Sequence, residues 1–426
     1  MDINLDRLRS KRKIYRLITI IGRLADQRGV VAYVVGGCVR DIILGREILD
    51  LDIVVEGDAL TLAKTVGQNE KAILRRYPQF KTASLQFADG LRVDFATARK
   101  EIYSVSGALP VVSPGTISDD LFRRDFTINA IAVRINRERL GQCVDPYGGL
   151  NDIKKKKIRV LQEQSFVDDP TRILRAIRFE QRFHFSVERK TLQLLEAALQ
   201  ANVAKNVKPP RYFNEFRKIL KEPNPCVCFE RLQRLGGLDF LLEGFSFNAR
   251  LLQKIHHGRQ KLRRKDFYKN IFWDLLYLMG VTFKMIPRDL ENLIEKFQLT
   301  KLEKDALRDS QDVLRIVQQL RAKKLSDSQV YQILKSCDDL VIIFIRLFVD
   351  SPTISRRVDK FIQELKFVKL QITGDDLKEM GFGEGKAVGR ILEDILLKKL
   401  DGKIKNHREE IFAAKQFFAT TVVNKS

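Results

Sequence analysis

Apolar residues fall into short runs over the first third of the chain and recur at helical spacing after it. VAYVVGG (31–37), LDLDIVV (49–55), ASLQFADGLRVDFAT (83–97) and INAIAVRI (128–135) are short, rich in β-branched residues and bounded by turn residues. They are predicted as strands. ALTLAKTVGQ (59–68) carries apolar positions at helical spacing between two of them. Past about Asp152 the strand signals fade. TRILRAIRFEQRF, KTLQLLEAALQ, PRYFNEFRKILK, PRDLENLIEKFQL and VGRILEDILLKKL all place apolar residues three and four apart. The pattern predicts an α/β head followed by a long helical remainder, with Pro209 and Pro210 marking one boundary.

One strand breaks the rule that apolar runs bury. Asp50 and Asp52 interrupt LDLDIVV, and residues i and i+2 of a strand point to the same side. Two carboxylates side by side repel unless a positive charge lies between them. Such a pair holds Mg²⁺, which prefers oxygen ligands and phosphate-bound substrates. Metal ions held so activate a hydroxyl and stabilise a leaving pyrophosphate. Asp94, on another predicted strand, is a candidate third ligand. The preceding VVGGCVRD (34–41) runs from a strand through Gly36 and Gly37 into a helix, a backbone that approaches phosphate closely. Arg40 lies in that helix's first turn. Taken alone, paired glycines are equally a tight turn; beside the aspartate pair they point to chemistry.

Charge then changes the picture. The 426 residues are 44% hydrophobic, enough for a sizeable core, and carry a net charge of +23 with a pI near 9.8. That excess argues for a polyanionic partner and against an ordinary metabolic enzyme. Arg123 and Arg124 in DLFRRDFTINAIA (120–132) are placed to bind a triphosphate or organise a site. In DDPTRILRAIRF (168–179), Asp169, Arg172, Arg175 and Arg178 are spaced by three on a predicted helix interleaved with apolar residues, as in a lined cleft. A carboxylate accepts hydrogen bonds and a guanidinium donates them. Cytosine and adenine each present an amino donor beside a ring acceptor and match such a pair; guanine and uracil do not. One Asp and one Arg held in plane would select C and A without a nucleic-acid template. The runs KKKKIR (154–159), KLRRK (261–265) and RAKK (321–324) suit an RNA backbone, and equally a solvated face. The stretch ITGDDLKEMGFGEG (372–385) reads as two helices joined by a glycine-rich turn, and Trp273 as core.

The five cysteines are scattered without a CxxC pair, so neither a disulfide framework nor a zinc site is expected. The basic first 25 residues read as an amphipathic helix rather than a signal peptide, since Arg16 and Arg23 cut the apolar run. Leu340–Val349 is too short to span a bilayer. A cytoplasmic protein without a membrane association or a stable protein partner is expected.

In this order, GGCVRD with LDLD, RRDFTINAIA, DPYGGLNDI (145–153), DDPTRILRAIRF and PRYFNEFRKIL (210–220) resemble the class II tRNA nucleotidyltransferases, the CCA-adding enzymes with their A-adding, CC-adding and poly(A) polymerase relatives. The resemblance implies an α+β fold: a nucleotidyltransferase palm over 1–142, a helical neck over 143–207, a helical body over 208–300 and a helical, tRNA-binding tail over 301–426. It implies catalytic Asp50, Asp52 and Asp94, with Mg²⁺ on Asp50 and Asp52. It implies nucleotide binding by Gly37, Arg40, Arg124, Asp169, Arg172, Arg175 and Arg178, with Asp169 and Arg172 reading the base. Partners are then tRNA, ATP and CTP, and the reaction adds CCA or its terminal A to tRNA 3′ ends. A poly(A) polymerase, a CC-adding enzyme and a non-catalytic RNA-binding protein are the alternatives. Two departures stand out. Asp168 occupies a position where the family commonly has Glu, and no His-Asp pair marks the phosphohydrolase domain that some relatives append. The segment 98–121 corresponds to the family's flexible loop.

Overall fold

The computed structural model describes residues 12–48, 50–102, 111–237, 248–262, 271–382 and 385–423. Parts of several stretches named above lie outside the described residues: 1–11 of the N-terminal helix, Leu49, 103–110 of the loop, 263–265 of KLRRK and 383–384 of the glycine-rich turn. The chain divides into two compact units, Met1–Glu243 and Gly244–Ser426.

The first unit is built on a seven-stranded mixed sheet. Its strands are β1 (Val31–Val35), β2 (Asp50–Glu56), β3 (Ile73–Tyr77), β4 (Thr82–Gln86), β5 (Arg92–Thr97), β8 (Ala132–Arg134) and β9 (Cys143–Val144), in the order β3-β4-β5-β2-β1-β8-β9. β6 (Arg99–Ile102) and β7 (Val111–Pro114) pair separately. β2 and β5 run parallel, and every other pair in the large sheet is antiparallel. A parallel pair needs a crossover, and α3 (Ala59–Glu70) with the β3–β4 hairpin supplies it. Asp58 caps α3 by accepting from the backbone of Leu60 and Thr61.

Strand alternation decides which face does what. Leu51, Ile53 and Val55 of β2, Val93 and Phe95 of β5 and Ala83 and Leu85 of β4 are buried on one face, where α1 (Arg12–Gln27) and α3 pack. The opposite face is divided. Tyr33, Val35, Val54 and Ala132 form a core there with Ile117 and Leu121 of α4 (Ile117–Phe122). Further along the same face, Asp52, Asp94 and Ser84 stand on the β2–β5–β4 half. The sheet thus has one largely apolar side and one side that is half core and half polar.

Two sequence expectations are corrected here. INAIAVRI is a strand only over Ala132–Arg134; Thr127–Asn129 form a 3₁₀ turn, because the Asn129 amide turns back to donate to Asp125 Oδ1. Asp169 precedes the arginine helix rather than riding on it. It is extended, with φ −137 and ψ 90, between α6 (Ser165–Asp168) and α7 (Thr171–Phe183). Pro170 follows it, and the residue before a proline is kept out of the helical region by the ring. Between α4 and α6 lies α5 (Gly149–Lys154), and after α7 come α8 (Arg189–Gln200), α9 (Pro209–Leu220) and α10 (Pro225–Arg234). Buried Phe216 of α9 packs on buried Phe229 of α10 with ring centroids 5.7 Å apart, and Phe213 lies 5.6 Å from Phe216 on α9 itself.

The described residues of the second unit contain helices and no strand, so the whole is α+β with a helical C-terminal region. Capping boxes at Thr300–Glu303, Ser326–Gln329 and Thr373–Asp376 fix three of the helix starts. Trp273 is buried, as its apolar neighbours predict. Ile372, Leu377, Ile391, Ile395 and Ala414 form a core near the C-terminus. Among the described residues no helix is long and apolar enough to cross a membrane.

One close approach in the first unit sets a stability test. A Cβ on Gly22 of α1 would stand 1.9 Å from the Ile135 carbonyl oxygen, a backbone atom that cannot swing away. Gly22→Ala is expected to destabilise the first unit by about 1–3 kcal/mol, the usual range for overpacking, despite alanine's better helix propensity. A urea midpoint no lower than that of the wild type would contradict this packing.

Candidate active site

The polar half of the sheet begins with register. β2 and β5 place Asp50 opposite Arg92 and Asp52 opposite Asp94. Asp50 is exposed at the strand's start, and Asp52 is partly covered. Burial pushes the Asp52 carboxyl above its ordinary range; Arg124 and Arg92 pull it down, and Asp94 and Asp50 push it further up. Asp94 is tied to Arg92 by two contacts of 2.9 Å. The paired residues of β1 and β2 end at Val34 and Ile53. Beyond them Cys38 Sγ takes over the edge of β2, donating to the Asp50 carbonyl and accepting from the Asp52 N–H at 3.4 Å. Burial, and then Asp52, push that thiol up to about 12, so it stays neutral beside the carboxylates.

β1 leaves the sheet through Gly36, whose φ of 70° belongs to the left-handed region. A Cβ there would stand 2.4 Å from Arg124 Nη1, so this glycine serves both the turn and the approach of an arginine. Gly37 opens α2 (Gly37–Ile43) with ordinary dihedrals, and a Cβ on it would meet only Arg40 Nη2 at 3.5 Å. The turn thus rests on Gly36, while Gly37 faces the cleft.

The arginines are held from behind by buried carboxylates. Asp120, fully buried, accepts from Arg123 at 2.7 Å and from Arg124 at 2.9 Å. Arg40 is buried against Asp41 at 3.0 Å, donates to Asn129 Oδ1, and lies 4.4 Å over the Phe183 ring. Asn129 passes this connection to Asp125, and Asp125 accepts from Arg175 Nε at 2.8 Å. Burial alone would raise the Asp125 carboxyl; Arg175, the Asn129 amide and Arg172 together outweigh it and hold it well below the usual range. Arg175 also reaches Glu215 at 3.3 Å, and Arg178 reaches Glu222 at 3.4 Å. A continuous chain of polar contacts therefore links α2 to α7 and α9.

Asp169 and Arg172 are fixed differently. Arg172, buried, donates through Nη1 to Ser165 Oγ at 2.6 Å and through Nη2 to the Arg123 carbonyl at 2.9 Å. Asp169 Oδ1 accepts from Thr171 N (3.1 Å) and Thr171 Oγ1 (2.6 Å), and Arg211 Nη2 lies 3.3 Å from it. Among the described residues no donor reaches Oδ2.

One cleft of about 870 Å³ gathers these groups: Asp50, Asp52, Gly37, Arg40, Arg124, Asp169, Arg172, Arg175 and Arg178 all line it. Asp94 does not; it lines an adjoining cleft of about 360 Å³ that shares Asp52, Arg123 and Arg124. A separate cleft of about 600 Å³ in the second unit, around Asp309, Arg315 and Asp338, contains none of these residues. Sequence reasoning missed Asp120, Asp125, Asn129, Arg211 and Glu215. All five lie in motifs quoted above, and a signal was available: each polar residue stands among residues predicted to bury, where it needs a partner.

The donor set bears on a metal. Among the described residues no group of three or more His, Cys, Asp or Glu side chains stands together as a ligand set. Asp50 and Asp52 supply carboxylate oxygens from one side of one strand, while Arg92 engages Asp94. Two carboxylates with room for phosphate oxygens and water fit Mg²⁺, which keeps several waters and seldom uses an all-protein cage.

Comparison with known proteins places the chain among its relatives. The family model described as the poly(A) polymerase head domain matches residues 32–159. A second, described as a probable RNA and SrmB-binding site of polymerase A, matches residues 184–248. An A-adding tRNA nucleotidyltransferase of Geobacter sulfurreducens is 32% identical over 92% of this chain and 46% of its own length. The chain thus spans about half the length of that curated relative, as it does of others among the first matched. An A-adding tRNA nucleotidyltransferase of Halalkalibacterium halodurans is 29% identical over 95% of this chain and 92% of its own. A solved complex of a CCA-adding enzyme with ATP superposes with a TM-score of 0.80 at 31% identity, covering 99% of both chains. With this likeness running the length of a solved enzyme, the chain belongs to the class II tRNA nucleotidyltransferase and poly(A) polymerase family.

Proposed function

We propose that the chain is a template-independent RNA nucleotidyltransferase that extends tRNA 3′ ends with CCA, or with the terminal A alone, from CTP and ATP. The observation that carries the reading is the state of Asp169 and Arg172. Both line the cleft that holds Asp50 and Asp52, both are fixed by the protein, and among the described residues no donor reaches Asp169 Oδ2. An acceptor and a donor lining one cleft match the exposed edges of C and A, and rejecting G and U follows from the cost of an unpaired buried polar group. The restriction to A rests on the relatives: those from Geobacter and Halalkalibacterium are named A-adding.

The chemistry follows from the groups around the cleft. The 3′-oxygen of the RNA forms a bond to the α-phosphorus, the bond from that phosphorus to the β-phosphate bridging oxygen breaks, and pyrophosphate leaves. The hydroxyl proton passes to a carboxylate of the Asp52–Asp94 row or to water. Arg40, Arg124, Arg175 and Arg178 bind the triphosphate, their partner carboxylates keeping them in place before it arrives. Asp50 and Asp52 would hold Mg²⁺, which supplies Lewis-acid stabilisation of the phosphate charge. The family is a metal-dependent polymerase type; Mg²⁺ in particular is part of this proposal.

Purified protein is tested with Mg²⁺ and tRNA ending before CCA, after C and after CC, given CTP, ATP or both. Addition of A to the CC-ended tRNA alone defines an A-adding enzyme, and full CCA on the shortest a complete one. A stop at CC defines a CC-adding enzyme, and long A tails on any RNA a poly(A) polymerase. No incorporation overturns the reading in favour of an RNA-binding protein. Asp52→Ala is expected to abolish incorporation while tRNA binding stays within a few-fold; retained turnover would sink the carboxylate assignment. Arg172→Ala should erode discrimination between C or A and the other bases, and unchanged nucleotide choice would refute its reading role. tRNA affinity should fall steeply with salt, as expected when several phosphates are neutralised, and a flat response would show the basic surface to be idle.

A further inference from the structure

The carboxylate row stands between two clefts, and only one has been given a ligand. The smaller, of about 360 Å³, is lined by Asp52, Asp94, Tyr77, Thr82, Ser84 and Arg92, and shares Asp52, Arg123 and Arg124 with the larger. Strand register builds its floor. Arg75 pairs with Ser84, Ser84 with Asp94 and Asp94 with Asp52, so one row on one face runs from the edge strand to the carboxylate. The next row runs from Tyr77 through Thr82 and Ala96 to Val54. Strands lie about 4.8 Å apart, which puts the edge strand about 14 Å from Asp52. Tyr77 is 41% exposed and Phe80 55% exposed just beyond it, and Arg75 is exposed as well.

We propose that this cleft receives the 3′-terminal nucleotide of the RNA being extended, with Tyr77 as the platform for its base. The inference rests on the nucleotidyltransferase reading and deepens it. The reaction joins two substrates in line, so the 3′-oxygen and the α-phosphate must approach the same carboxylates from different sides. The larger cleft has the base-reading pair and the triphosphate arginines, so the RNA end takes the other side of Asp52. The size is that of one nucleotide. Its lining matches the parts: hydroxyls of Thr82 and Ser84 for a ribose, Arg92 for backbone phosphate, and an aromatic ring for a base of any identity; exposed Arg75 stands on the edge strand in the same row as Ser84. A stacked base is sequence-tolerant, which suits an acceptor whose terminal residue changes as the tail grows.

The test varies Tyr77, which is exposed and outside the groups assigned to catalysis or nucleotide binding. Initial rates are measured for wild type, Tyr77→Ala and Tyr77→Phe against tRNA ending in CC at saturating ATP, and against ATP at saturating tRNA. The affinity of the same tRNA is measured by filter binding without nucleotide. Tyr77→Ala is expected to raise both KM and Kd for the tRNA by about 5- to 100-fold, the range for losing one stacked base. ATP KM should stay within twofold, and Tyr77→Phe should behave as wild type. Unchanged tRNA KM and Kd in an enzyme that incorporates nucleotide overturn the RNA-end site and leave the functional reading standing. A Tyr77→Ala effect confined to ATP KM overturns it too, assigning the cleft to the incoming nucleotide. A wild-type protein that incorporates nothing but whose tRNA Kd responds to Tyr77→Ala overturns the enzyme reading and leaves the RNA-end site standing.

Discussion

A buried charge must be paired, and the first unit is arranged around that constraint. Asp120, Asp125, Glu215 and Glu222 are all buried, and each carries at least one arginine of the cleft wall. Carboxylates form the inner layer and guanidinium groups the outer one. Burying an ion pair is weak evidence for stability, because desolvation offsets most of the attraction. What the pairing fixes is position: an arginine gripped at one end presents its remaining N–H groups in one direction. The cleft can be strongly cationic without its arginines scattering into solvent, and without their repulsion opening the fold.

The same layering explains how much of the molecule the sequence discloses. Alternation along β2 and β5 places Asp50, Asp52 and Asp94 on one face, because the strand period is two whatever the fold. The order of the sheet is less accessible. Nothing local in RVDFAT says that it runs parallel to LDLDIVV through a crossover containing a helix and a hairpin. The predicted strand INAIAVRI fails for a reason that apolar spacing does not register. Asn129 bonds to Asp125, four residues back, and that contact pulls the segment into a turn. Helical spacing puts Arg172, Arg175 and Arg178 on one helix, but it also draws Asp169 onto it, because periodicity carries no information about the proline's effect on its predecessor.

The binding residues divide the same way. Arginines are legible as candidates because a guanidinium amid apolar neighbours is conspicuous. Their partners are less so. Asp125 and Glu215 sit 50 and 40 residues from Arg175, a separation across which spacing arguments do not reach. Gly36 and Gly37 are equivalent in the sequence, and only backbone dihedrals single out Gly36 as the one whose missing side chain makes room for Arg124.

Pro170 gives the cleft a property that hydrogen bonds alone would not. A nucleic-acid template holds its reading edge in place by stacking and pairing, and must be copied to persist. Here the residue in the proposed reading position is restrained by a covalent ring on its neighbour, so its extended backbone is set when the chain is made. Part of the instruction for which base to add is then stored as bond geometry. It survives every round of turnover unchanged, and it is passed on only through the gene.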